Sequence, residues 1–267
     1  MLFGVCAAID HYETLQQAGY DAIALAGKDV AAMSESEFAR ARAIVAAGSL
    51  RLSNFYAFCP PSVTLAGTGY NPQALRHYTQ KLFERAKELG VRYAGIGSPL
   101  SRVRPEGCSQ EQMNAQMADT LKLLCEIGDK HGVEILLEAV CTNSGCNYIT
   151  YTAEALEMVT ALNLPNLNLV YDLYHAFMMK EDAAPILDAG SRIKLTHISG
   201  NTGGKRDYLK QQNVQDYQAY VDALKQIGYM GELNIESSVG DLTQEIVPSL
   251  EILRELHGKI SPETSSL

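Results

Sequence analysis

Short, continuously apolar runs alternate with longer amphipathic stretches from one end of the chain to the other. The apolar runs predict strands over Leu2–Ile9, Ala22–Ala26, Arg51–Cys59, Tyr93–Ser98, Glu134–Val140, Leu167–Leu173, Ile193–Ser199 and Glu232–Ser238. Between and after them, helical spacing of apolar positions predicts helices over Tyr12–Ala18, Glu35–Ala47, Gln73–Leu89, Ser109–His131, Thr152–Leu162, Ala183–Ala189, Gln215–Ile227 and Thr243–His257. Ser34 with Glu37 reads as a capping box, and Thr152 as the cap of its helix. Gly19, Gly48, Gly90, Gly132, Gly190 and Gly228 stand where helices should stop and turn back. Strands that are apolar throughout, rather than alternating, belong to a parallel sheet covered on both faces.

Eight strand–helix units in 267 residues predict an α/β chain folded as a single (β/α)8 TIM barrel over residues 1–260, with a polar, frayed tail at 261–267. A doubly wound open sheet is the alternative, but no glycine-rich phosphate fingerprint follows the first strand.

Four of the apolar runs end on a potential metal ligand: Glu138, Asp172, His197 and Glu236. A charge at the end of a buried strand costs free energy unless it is paired, coordinated or close to water. The four lie 34, 25 and 39 residues apart, each about one strand–helix unit, so consecutive strands carry them to the same half of the barrel mouth. Three carboxylates and one imidazole suit one divalent cation, Mn²⁺ first, with Mg²⁺, Co²⁺ and Zn²⁺ as alternatives. The competing reading makes each residue a helix cap or an ordinary ion pair.

Composition narrows the picture. A net charge of −9 argues against a nucleic-acid surface, and no long apolar span suits a membrane. The first residues read as a strand rather than a signal peptide, because no basic region precedes their apolar run. Six scattered cysteines without a C-x-x-C pair are expected as free thiols, consistent with a cytoplasmic protein. Asn54, Tyr56, Ser98 and Pro99 are candidates for lining the other half of the pocket, and Gly67 with Gly69 marks a mobile segment able to act as a lid.

Leu-Leu-Glu138-Ala, Tyr-Asp172-Leu-Tyr-His175, Lys-Leu-Thr-His197-Ile-Ser and Asn-Ile-Glu236-Ser, with Gly228-Tyr-Met-Gly231 leading into the last strand, give the chain a family likeness. It resembles the xylose-isomerase-like superfamily of sugar isomerases and epimerases, including ketose 3-epimerases and hydroxypyruvate isomerase-like proteins. The resemblance implies that the four ligands hold one divalent metal without an organic cofactor. It also implies that Glu138 and Glu236 form an acid/base pair on opposite faces of a carbohydrate substrate, and that His175 binds a substrate oxygen. For His175 the alternative is a helix-start histidine bonded to nearby backbone. A homodimer or homotetramer is a further expectation by resemblance.

The sequence departs from the epimerases in two loops. Gly200 stands where an acidic residue is often found after the metal histidine, and the nearest arginine, Arg206, lies nine positions beyond His197. A flexible Gly203-Gly204 loop lets Arg206 reach a substrate oxygen; a solvated loop charge is the alternative. After Glu138, Ala139-Val-Cys-Thr-Asn143-Ser-Gly replaces the usual Pro-Leu-Asn-Arg-like run. The leading expectation is a metal-dependent isomerase or epimerase working through an enediolate. A lyase or dehydratase acting on a keto-sugar, cyclitol or oxidised glycoside comes second, and a non-catalytic carbohydrate-binding barrel third. The superfamily's three-zinc endonucleases need more histidines and a basic groove than this chain has.

Overall fold

In the computed structural model, which describes residues 1–258, eight parallel strands close into a barrel in chain order. The strands are β1 (Leu2–Cys6), β2 (Ala22–Ala26), β3 (Asn54–Tyr56), β4 (Tyr93–Ile96), β5 (Glu134–Glu138), β6 (Leu167–Asp172), β7 (Ile193–Ile198) and β8 (Glu232–Ile235). Register between β8 and β1, with Val5 opposite Ile235, completes the closure. The tail expected at 261–267 lies outside the described residues.

Around the barrel run α1 (Tyr12–Ala18), α2 (Gly27–Ala32), α3 (Glu35–Ala47), α4 (Pro72–Leu89), α5 (Gln110–His131), α6 (Thr152–Leu162), α7 (Leu173–Met178), α8 (Ala184–Ala189), α9 (Gln212–Gln226) and α10 (Leu242–Gly258). The periodic sequence marks eight of these. In α4, for example, Leu75, Leu82, Phe83, Ala86 and Leu89 form one buried stripe against the sheet. Each large side chain buried in this way contributes roughly 1.5–3 kcal/mol relative to exposure. Ser34 and Glu37 form the expected capping box of α3. Gly90 and Gly132 end α4 and α5 in the left-handed region, at φ +73° and +71°, where a side chain would be strained.

Three expectations need correction. Thr152 does not cap α6: Tyr151 holds the cap position, and the Glu154 carboxylate accepts from the Tyr151 backbone N–H at 3.0 Å. The third strand is only Asn54–Tyr56, because Ala57 turns to φ +43° and breaks the extended chain. Helices α2 and α7, six residues each, were not expected, because each starts at the residue directly after its strand, with no break in the sequence to mark a new element.

Alternation along the strands stacks three layers inside the barrel. At the N-terminal end, Glu232 accepts from Ser53 Oγ, Asn54 Nδ2 and Arg51 Nε, and Glu134 accepts from Asn168 Nδ2. Asn54 therefore belongs to the floor, not to the pocket. Above it, Leu136, Val170 and Leu195 pack together as an apolar plug. Gly4 leaves room at this level for Asn234, whose amide oxygen would collide with any added Cβ. Two residues further along each strand lies the mouth.

Candidate metal centre

Glu138 and Asp172 are the last residues of β5 and β6, His197 is the penultimate residue of β7, and Glu236 follows β8 directly. Asp172 is register partner to His197. The Glu236 N–H donates to Ile198 O at 2.9 Å, extending the ladder by one bond. One ligand atom from each of the four residues lies within 4.8 Å of the others. His197 Nδ1 is 3.2 Å from Glu138 Oε1, 3.0 Å from Glu236 Oε2 and 3.9 Å from Asp172 Oδ2. Four residues scattered over nearly a hundred positions thus meet at one point, as the strand-end pattern predicts.

The surroundings fix each side chain. Asp172 divides its oxygens: Oδ1 accepts the backbone N–H groups of Tyr174 and His175 at 2.8 and 3.1 Å, capping α7, while Oδ2 faces the cluster. The Glu138 carbonyl accepts from Nη2 of the fully buried Arg102 at 2.7 Å. Gly97, just beyond β4, has no side chain to dislodge Glu138, since a Cβ there would overlap Oε2.

Arg206 closes the ring. Its Nη2 donates to Asp172 Oδ2 at 2.7 Å and Glu236 Oε2 at 3.1 Å, and its Nε to the Glu236 carbonyl at 3.0 Å. Its Nη1 lies 2.8 Å from His175 Nε2, and the guanidinium sits 5.0 Å over the Tyr174 ring. The solvated-loop reading of Arg206 does not hold. The loop is pinned where Tyr174 Oη donates to Gly204 O and where Ser238 and Val239 donate to Arg206 O. Asp207 also occupies the space left by Gly200, where a Cβ would collide with its carboxylate. An acid therefore stands beside the Gly200 backbone after all, contributed from seven residues further along.

His175 reaches the cluster through Arg206, and its Nδ1 lies 3.2 Å from Cys141 Sγ. Its ring does not bond nearby backbone, as the alternative reading required. Ser98 and Pro99 line a pocket of about 270 Å³ together with Glu138, Glu236, His175 and Arg206. The Gly67–Gly69 segment expected as a lid is anchored at its start: Leu65 and Ala66 are buried, and the Gly67 N–H donates to Gln116 on α5 at 2.7 Å. Sequence reading counts Cys6 and Cys141 only among six scattered thiols and gives Arg102 no role. In the structure Cys6 ends β1 and faces the same interior as the four ligands, whereas the apolar run Leu2–Ile9 passes through it and gives no strand-end signal.

Charge at the site is unbalanced. Two buried carboxylates, Glu138 and Asp172, and the half-buried Glu236 face one guanidinium and one imidazole. Burial raises Glu138, with repulsion from Glu236 and Asp172 adding to it against the pull of His197. Burial also works against ionised Asp172 and Glu236, yet Arg206 and His197 beside them hold both below the usual carboxylate range. For His197 burial again opposes the charge, but Glu236 and Glu138 push the imidazole up to about 10. Donors held about 2.0–2.3 Å from one ion can be at most roughly 4.5 Å apart, which the cluster matches closely. His197 Nε2 is buried without a hydrogen-bond partner among the described residues. Donor type, spacing and excess negative charge all fit a divalent cation.

The chain belongs to the xylose isomerase-like TIM barrel family, whose model matches residues 12–256. Among curated proteins it is 29% identical over 163 residues to an inosose isomerase of Bacillus subtilis (strain 168). It is 32% identical over 149 residues to an L-ribulose 3-epimerase of Methylomonas sp. (strain DH-1). These matches cover 58% and 55% of the chain, and 57% and 48% of the relatives; the chain spans about half the length of the curated relatives it matches. Among solved structures, D-psicose 3-epimerase from Clostridium cellulolyticum H10 superposes with a TM-score of 0.80 at 16% identity, over 96% of this chain and 99% of that one. A 3-keto-D-glucoside 4-epimerase from E. coli gives 0.76 at 16% identity, over the same shares. These structural likenesses concern the fold. No helix among the described residues is long and apolar enough to cross a membrane.

Proposed function

We propose that the chain is a divalent-metal-dependent sugar isomerase or epimerase that moves a proton next to a substrate carbonyl through an enediolate. The observation that carries this reading is the convergence of Glu138, Asp172, His197 and Glu236 within 4.8 Å at the mouth of a closed barrel. Relatives named as isomerases and 3-epimerases support it. Glu138, Asp172, His197 and Glu236 would hold the ion, with Mn²⁺ as the cation of choice for this oxygen-rich set. When bound, such a cation supplies the electrophile that polarises the carbonyl and acidifies the neighbouring C–H.

The chain's own residues do the rest. Glu236, kept ionised by Arg206 and His197, accepts the proton from carbon. Glu138, whose carboxyl is raised by burial, returns a proton. Delivery to the opposite face of the same carbon gives the epimer, and delivery to the neighbouring carbon gives the isomer. His175 and Arg206 line the substrate pocket, and Arg206, oriented by the lone pair of His175 Nε2, offers hydrogen bonds to charge as it develops on the substrate oxygens. No organic cofactor takes part. The same reading takes a free or simply modified sugar as the partner, and a cytoplasmic homodimer or homotetramer as the working form, the six unpaired thiols fitting a reducing compartment.

Incubating the Mn²⁺-loaded protein with ketoses, inososes and keto-sugars in D2O tests the proposal. Deuterium at the carbon next to the carbonyl, in a product of otherwise unchanged composition, is expected. Loss of water or an aglycone would instead establish lyase chemistry, and binding without exchange would establish a carbohydrate-binding barrel.

A further inference from the structure

Cys6, at the mouth end of β1, belongs to the same interior layer as the four strand-end ligands. Strand β1 is hydrogen-bonded to β8, with Gly4 opposite Asn234 in the layer below. Because side chains alternate, the residues two positions further on, Cys6 and Glu236, turn toward the same interior. A ligand atom of Cys6 lies within 4.8 Å of those of His197 and Glu236, and these two in turn belong to the four-residue cluster. Cys6 does not join Glu138 and Asp172 in that group. Two donor sets therefore overlap along the shared edge of His197 and Glu236. One is rich in hard oxygen; the other carries a thiol, an imidazole and a single carboxylate.

We propose that Cys6, His197 and Glu236 form a thiophilic seat that takes Zn²⁺ or Co²⁺, overlapping the oxygen-rich seat that takes Mn²⁺. The inference rests on the metal-site reading given above. Thiolate and imidazole favour zinc-like cations, whereas carboxylate oxygens favour Mn²⁺ and Mg²⁺. Three protein ligands, with an open fourth position, are the pattern of an accessible zinc site. Binding forms a metal–sulfur bond and breaks the S–H bond, the proton passing to solvent, with no change in oxidation state. Cys6 is 7% exposed and His197 fully buried, so both donors lie inside the barrel rather than on its surface. The thiol shifts the preference toward zinc-like cations beyond what the four strand-end ligands alone favour.

Cobalt reports on the sulfur directly. The metal-free protein is titrated with Co²⁺, and its absorption spectrum compared with those of Cys6→Ser, Cys6→Ala and Cys141→Ser, each checked for native circular dichroism. The wild type and Cys141→Ser should show a near-ultraviolet sulfur-to-cobalt charge-transfer band that is missing from both Cys6 variants. Zn²⁺ affinity should fall ~10-fold or more in Cys6→Ser, while Mn²⁺ affinity changes by less than about twofold. Cobalt bound by the wild type without the sulfur band, or a band that survives in both Cys6 variants, would overturn the seat. Mn²⁺ binding without the sulfur band removes the seat alone; failure to bind either cation removes the four-donor centre as well.

Discussion

Arg206 donates from Nη1 to Nε2 of His175 across 2.8 Å, and this fixes the protonation of the imidazole. A guanidinium has only donors, so Nε2 must present its lone pair. The neutral ring then carries its proton on Nδ1 and points it at Cys141 Sγ, 3.2 Å away. Burial lowers His175 to about 4, with Arg206 adding to the effect and Asp172 opposing it. Because an unfolded histidine titrates near 6.5, the unfolded chain takes up a proton that the folded protein lacks between about pH 6.5 and 4. This contribution to stability is intact above that window and is lost as pH falls through it. Nitrogen-15 NMR of the metal-free protein should find His175 as the Nδ1–H tautomer down to about pH 5. A ring that titrates near 6.5 would contradict the arrangement.

Gly97 makes room for the Glu138 carboxylate. A Cβ at this position meets the flexible end of that side chain rather than backbone, so Gly97→Ala should fold and displace Glu138. We expect Mn²⁺ affinity to fall by roughly 10–100-fold, the scale on which misplaced supporting groups act, with Tm of the metal-free form little changed. Titration calorimetry measures the first and thermal melting the second. Unchanged affinity would show that Glu138 is not held where its ligand role requires.

Arg206 shares one positive charge between two of the three carboxylates, Asp172 and Glu236. In Arg206→Gln, kcat/KM should drop by about 10²-fold, as when a group stabilising developing charge is lost. Mn²⁺ affinity should hold or rise, because Asp172 and Glu236 lose a competing cation. Loss of metal binding along with activity would instead make Arg206 a support for the centre.

A cation should stabilise the folded chain visibly. At a free concentration about 100 times its Kd, a ligand of the native state alone adds about 2.7 kcal/mol, or roughly 5–10 °C in Tm for a chain of this size. Melting curves with Mn²⁺ and with a chelator make the comparison. Equal Tm values would speak against a site that binds the ion.

Much of this arrangement was legible in the sequence because of where the information lies. Strands buried on both faces make a shared site the strongest reason for Glu138, Asp172, His197 and Glu236 all to sit at their ends, and one strand–helix unit between them sets the barrel order. The loops were less readable. Arg206 acquires its partners from β6, α7 and the end of β8, none of which lies close in the chain. Asp207 fills the space beside Gly200 only because the 200–207 loop folds back, the Gly200 N–H donating to Asp207 O at 2.7 Å. Asn54, on a strand shortened by the turn at Ala57, went to the floor beside Glu232 instead of the mouth. Cys6 escaped notice because it sits inside the apolar run Leu2–Ile9, where a cysteine is an ordinary core residue.

In the proposed reaction Glu138 and Glu236 carry the proton beside a metal they help to hold. Solvent deuterium incorporation, measured on the metal-loaded wild type, Glu138→Gln and Glu236→Gln with bound metal quantified in each sample, tests it most directly. We expect deuterium next to the carbonyl in the wild type, and a loss of about 10²–10⁴-fold per occupied site in either variant. Exchange that continues at the wild-type rate in both metal-loaded variants would contradict it.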